Sequence, residues 1–79
     1  MPPDSRDAAH LWDMLAAACE AGVVVAGITL EAFLEDRIRL RALERMLELL
    51  GEAARRVSLQ TQASIPHIPW RALIGQRNL

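Results

Sequence analysis

Between Asp36 and Ser58 the chain separates apolar from polar positions with the period of an α-helix. Leu40, Ala42, Leu43, Met46, Leu47, Leu49, Leu50, Ala53, Ala54 and Val57 cover about half of a helical wheel. Arg37, Arg41, Glu44, Arg45, Glu48, Glu52, Arg55 and Arg56 occupy the other half. Such a helix would run ~34 Å at 1.5 Å per residue. Its apolar arc is wider than one neighbouring helix needs, so it is expected to touch its own bundle and a second subunit.

An earlier helix is predicted from near Asp4, with Asp4 or Ser5 as its N-cap and Asp7 as a favourable first-turn charge. Ala8, Leu11, Leu15, Ala18, Cys19, Gly22, Val23 and Ala26 then follow helical spacing. The β-branched Val23-Val24-Val25 is too short to overrule that pattern. Gly27 suits a left-handed stop. Thr29 restarts the chain as an N-cap, and residues 30–34 read as a short helical turn. Gln60 to Ser64 reads as a polar connection. Pro66 and Pro69 then deny helix to the residues before them, and Pro69 suits the first position of a last helix. In that helix Trp70, Leu73, Ile74 and Arg77 share one face. The expected fold is all-α: an up-down bundle of three long helices plus a short one. Residues 1–3 are expected to be disordered and residues 4–79 to form a single domain whose last helix is cut short.

Seventy-nine residues make a small domain that buries only roughly 60–65% of its unfolded surface. Cys19 is the only cysteine, so no internal disulfide can staple the fold, and no Cys/His cluster has metal spacing. No cofactor is expected. A partner subunit is the remaining source of stability, and the 52% of hydrophobic residues supply a surface for one. The net charge of −1 does not by itself demand nucleic acid. All nine basic residues are arginine, which either reflects codon composition or favours forked contacts to carboxylate and phosphate. No signal peptide is recognisable, and the longest uncharged run, Ala21 to Leu30, falls short of the ~20 residues that span a bilayer. A cytoplasmic protein with no membrane contact is expected.

A few residues carry candidate chemistry. Gly51 interrupts the long helix at a cost of ~1 kcal/mol relative to Ala. It marks either the approach of another backbone across a dimer or ordinary tight packing. Arg37, Arg41 and Arg45 repeat every fourth residue; with Glu44 and Glu48 they form a salt-bridged surface, or else a phosphate-gripping stripe. Glu52 is a candidate to orient an arginine of an active face, or a surface partner of Arg55 or Arg56. His10 and His67 lack companions at metal or nucleophile spacing and read as structural. Cys19 is expected to be buried, and Trp12 and Trp70 to serve as core or interface anchors. Arg77 stands out because it puts a permanent cation on an otherwise apolar stripe. It is either a last-turn cation or part of a site.

The motifs Phe33-Leu34-Glu35-Asp36-Arg37, Ala42 to Ala54 with Gly51-Glu52-Ala53, Pro66-His67-Ile68-Pro69-Trp70-Arg71 and Ile74-Gly75-Gln76-Arg77-Asn78 resemble the HepT-like family of the HEPN superfamily. They occur in the family's order and spacing. The family comprises the toxin halves of toxin–antitoxin pairs. The resemblance implies a homodimer whose facing motifs cut RNA without metal, using an arginine and a histidine. Of that motif only Arg77 and the supporting Asn78 carry over; the histidine and a following tyrosine would lie beyond Leu79. Leu40 stands where a polar residue is expected. The resemblance also implies a nucleotidyltransferase-like antitoxin that moves AMP onto the tyrosine. The chain as given is therefore expected to be inactive as a ribonuclease toxin. The alternative is a non-catalytic helical module that dimerises and binds the antitoxin.

Overall fold

The computed structural model describes residues 5–75. Five helices follow one another: α1 (Ser5–Val25), α2 (Leu30–Glu35), α3 (Arg37–Arg56), α4 (Leu59–Ser64) and α5 (Trp70–Gly75). No strand occurs among the described residues, so the fold is all-α.

Local chemistry sets the boundaries. Gly27 has φ +70° and ends α1 in the left-handed region, where a Cβ would be strained. Thr29 caps α2 through its hydroxyl, which accepts from the Ala32 N–H at 3.2 Å. Asp36 alone separates α2 from α3. Its N–H donates to the Phe33 carbonyl at 3.0 Å, and its carboxylate accepts from the Arg39 N–H at 3.1 Å. One residue thus closes one helix and opens the next. Pro66 forbids helix at Ile65 and stops α4. The Leu73 N–H returns to the Pro69 carbonyl at 3.0 Å, so Pro69 stands just before α5, which begins at Trp70 rather than at Pro69.

The polar connection expected at Gln60 to Ser64 is instead helix α4. Ser58 caps it, accepting from the Thr61 N–H at 3.2 Å, and α3 accordingly ends at Arg56 rather than Ser58. The described residues therefore hold two long helices and three short ones, where three long and one short were expected. The last of the expected long helices is described over six residues.

α1 and α3 run antiparallel and make the main contact, with α5 and then α2 also against α3. Met14, Ala53, Ala54, Val57 and Trp70 form the buried cluster, flanked by Leu11, Leu50, Ile65, Ile68, Leu73 and Ile74. The Trp70 indole N–H donates to the Ile65 carbonyl at 3.0 Å, so its polar edge is satisfied inside the core. The polar arc of α3 faces solvent as its pattern predicted. Its wide apolar arc is shared among α1, α2 and α5 of the same chain, so its width does not by itself require a second subunit.

α1 departs from its predicted orientation. Its inward side is Asp7, Met14 and Ala17, flanked by His10, Leu11, Ala21 and Val24. The predicted stripe is turned outward by about one residue, ~100°: Leu15 is 53% and Val23 76% exposed, and Cys19 is exposed rather than buried. Trp12 is 70% exposed and lies outside the core of this chain. By length and composition alone, Arg6–Val25 is apolar enough to cross a membrane, although Asp13 and Glu20 interrupt it.

Candidate functional site

A single carboxylate ties the two ends of the chain's first sixty residues together. Asp7, on the first turn of α1, is buried. It accepts from the Ser58 N–H at 2.9 Å, the Ser58 hydroxyl at 2.6 Å and the Thr61 hydroxyl at 2.6 Å. The Ser58 hydroxyl is the strongest of the influences that hold its pKa below the ordinary carboxylate value. The Thr61 hydroxyl and the Ser58 N–H act the same way, and nearby His10 adds a smaller effect. This arrangement ties the first turn of α1 to the junction between α3 and α4.

Between them α1 and α3 enclose a groove of about 340 Å³. Ala16 and Ala17 from α1 and Leu49 and Ala53 from α3 line its apolar part. His10, Asp13 and Glu20 from α1 and Glu52 and Arg56 from α3 line its charged part. Glu52, the candidate site residue on α3, is half-buried and accepts from Arg56 at 3.2 Å, one turn later. Its partner is thus Arg56, one of the two arginines that the sequence offered. His10 reaches the same groove, a placement its isolated position in the sequence did not signal. His67 is exposed in the segment before α5.

On another side, α1 and the start of α5 leave a second groove of about 340 Å³, almost wholly apolar. Leu11, Met14, Leu15, Ala18, Leu50, Ile68, Pro69 and Leu73 line it. Trp70, Leu73 and Ile74 turn towards the core, as their common face predicted. Arg77 and Asn78, the candidate catalytic residues, lie outside the described residues, as does Asp4, the candidate cap of α1.

The arginine repeat on α3 is partly neutralised. Arg45 pairs with Glu48 at 3.4 Å, and Arg39 with Asp36 at 3.4 Å. No ion pair involves Arg37 or Arg41 among the described residues. Nor does any group of three or more metal-ligating side chains gather there.

The family described as ribonuclease HepT-like matches residues 14–79. Among curated proteins, the chain is 30% identical over 71 residues to a protein provisionally named RNase MJ1380 from Methanocaldococcus jannaschii. That alignment covers 90% of this chain and 65% of the relative. A second relative, provisionally named RNase TTE0752 from Caldanaerobacter subterraneus subsp. tengcongensis, is 33% identical over 54 residues, 68% of this chain and 48% of the relative. The chain thus spans 65% and 48% of the lengths of these two relatives. No solved structure matches it.

Proposed function

The chain belongs to the HepT-like ribonuclease family, and on that premise we propose that it is the RNA-cleaving half of a toxin–antitoxin pair, with Arg77 as its catalytic cation. The observation that carries this reading is the extent of the family match, which runs to residue 79 and so includes Arg77 and Asn78. The common face of Trp70, Leu73, Ile74 and Arg77 supports it. α5 turns Trp70, Leu73 and Ile74 towards the core, and in the sequence Arg77 follows them at helical spacing.

The chemistry follows from the residue types. A guanidinium offers two parallel N–H groups to a scissile phosphate and stabilises the charge that builds on it during attack by the ribose 2′-hydroxyl. A histidine moves the protons, as general base for that hydroxyl or acid for the leaving oxygen. The histidine that the resemblance pairs with Arg77 is not among the 79 residues, and His10 and His67 sit in other contexts. Asn78 supports the arginine. Glu52, held by Arg56, has a positioning role at most. Two chains bring their motifs together in a homodimer. A nucleotidyltransferase-like antitoxin silences the toxin in the cytoplasm, where an exposed thiol such as Cys19 stays reduced.

Gel cleavage of a generic single-stranded RNA tests the assignment. The 79-residue chain should cut near background, since general acid–base catalysis contributes ~10²–10⁴-fold. A form extended through the family's histidine should cut with EDTA present. Arg77→Ala and Arg77→Lys in the extended form should both abolish cutting, since an ammonium lacks the planar fork. Robust cutting by the 79-residue chain or by extended Arg77→Ala would move the active site elsewhere. A silent extended form that still binds the antitoxin would favour the interaction module.

A further inference from the structure

α4 is attached to the rest of the molecule in a different way from the other helices. It has six residues, well below the length at which a helix holds by its own hydrogen bonds. Thr61 is its buried residue, and Leu59, its largest apolar side chain, is 81% exposed. The extended contacts between helices are α1 with α3, α3 with α5 and α2 with α3, and α4 takes part in none of them. The bonds that fasten it to α1 are polar: the Ser58 N–H, the Ser58 hydroxyl and the Thr61 hydroxyl all donate to Asp7. Each hydroxyl has one hydrogen. With both hydrogens directed at the carboxylate, at 2.6 Å each, the Ser58 oxygen keeps its lone pairs for the Thr61 N–H, which it caps at 3.2 Å. The carboxylate therefore orients the group that starts α4. On either side the chain is fixed by apolar burial instead. Val57 before α4 and Trp70 after it both belong to the core cluster, and the Trp70 indole N–H donates to the Ile65 carbonyl.

We propose that α4 is a latched strap: residues 58–64 open locally as one unit while α1, α3 and Trp70 stay in place, and Asp7 is the latch that keeps them closed. Opening breaks the three bonds to Asp7 and the cap on Thr61 but uncovers little apolar surface, so it costs far less than unfolding the chain. It also changes the reach of the link between α3 and α5. Six residues span ~9 Å as a helix and up to ~20 Å when extended. A closed strap holds the approach to α5 short, and an open one gives the segment from Ile65 to Pro69 slack. Arg77 follows α5 in the sequence, so in a chain that cuts RNA the strap governs how firmly that end is held. This consequence rests on the proposed function; the opening itself does not.

Native-state amide hydrogen exchange in low concentrations of urea, followed by NMR on the 79-residue chain, tests the strap. The Gln62 and Ile65 amides donate to the Ser58 and Gln62 carbonyls inside it, and they should exchange with almost no dependence on urea. Met46, at the centre of α3, should exchange with a steep dependence, because its release requires global unfolding. Thr61→Val keeps the shape of the side chain and removes one donor to Asp7. It should speed exchange at Gln62 and Ile65 roughly tenfold, as expected for the loss of one hydrogen bond to a charged acceptor, with the urea dependence there still flat. Asp7→Asn, which removes the carboxylate, should do so by a larger factor. In a Trp12→Phe background Trp70 is the one remaining indole, and its emission should stay that of a buried ring in Thr61→Val. Gln62 and Ile65 amides that share the steep urea dependence of Met46 overturn the proposal, since the segment then opens only with the whole chain. So does unchanged exchange in Thr61→Val, or a red shift of Trp70, which would show that the core opens with the strap. If Asp7→Asn fails to fold, Thr61→Val decides alone.

Discussion

The most consequential single side chain in the described fold is Asp7, whose local sequence advertises only a first-turn acid. Three of its acceptor contacts come from residues 51 and 54 positions away, and no local pattern announces a partner at that separation. Arg77 is the opposite case, because its misfit on an apolar stripe is visible in the sequence itself. Glu52 lies between the two. The sequence offered it Arg55 or Arg56, and the fold supplies Arg56. Because the folded-state pKa of Asp7 is lowered, its contribution to stability is present above the ordinary value of 3.8 and is lost as pH falls through the lower folded value. Asp7→Asn should therefore lower the thermal midpoint at pH 7 more than Asp13→Asn does, because the exposed Asp13 side chain makes no ion pair among the described residues. The gap between parent and Asp7→Asn should close as the pH is taken below 3.8. Circular dichroism melts across that range decide it: a gap that persists unchanged in acid would show that the ionised carboxylate is not what matters.

At the scale of elements, legibility tracks how unevenly apolar residues are distributed. α3 divides its circumference between leucine-rich and charged halves, and both its existence and its facing follow from the sequence. α1 is apolar on nearly every side, so spacing alone cannot choose a face. In the fold Asp7, Met14 and Ala17 face inward, and the stripe of Leu15, Cys19 and Val23 turns outward. α4 was invisible for a related reason: its polar residues look like a loop until Ser58 caps it against Asp7. Gly51 tests the packing of α3. It is buried on the side of the helix turned to its neighbours. Gly51→Leu should overpack that contact at a cost of ~1–3 kcal/mol. Gly51→Ala should be tolerated better, because it recovers helix propensity. Urea denaturation of the three proteins reports both, and a leucine variant as stable as the parent would show that the neighbouring helices move apart freely.

The described part of the chain measures 44 × 23 × 18 Å. A thickness of 18 Å is less than two helix diameters with side chains, at roughly 10–12 Å each. Such a slab has no deep interior, which explains why no large side chain is fully buried among the described residues. Meanwhile Trp12, Leu15 and Val23 on α1, Leu30 and Leu34 on α2 and Ile38 on α3 remain exposed. Single exposed apolar residues are ordinary, but a run along one helix with an outward tryptophan marks an interaction face. A stable contact buries about 800 Å² on each partner, and an aromatic anchor supplies a large part of its energy. We propose that a second copy covers this face of α1. Light scattering at micromolar concentration should then give about twice the 8.8 kDa chain mass. Trp12→Glu should return the mass to that of one chain, because burying a carboxylate at the centre of an apolar contact costs more than the contact gains. The same variant should keep its helical signal, since Trp12 is 70% exposed and supports nothing within its own chain. Diluting the parent to its monomer should shift its emission to the red if the second copy shields the Trp12 indole, whereas Trp12→Glu, left with the buried Trp70 alone, should not shift on dilution. A parent that scatters as a monomer defeats the reading. So does a Trp12→Glu variant that stays dimeric, which would hand the contact to the α2 and α3 residues instead.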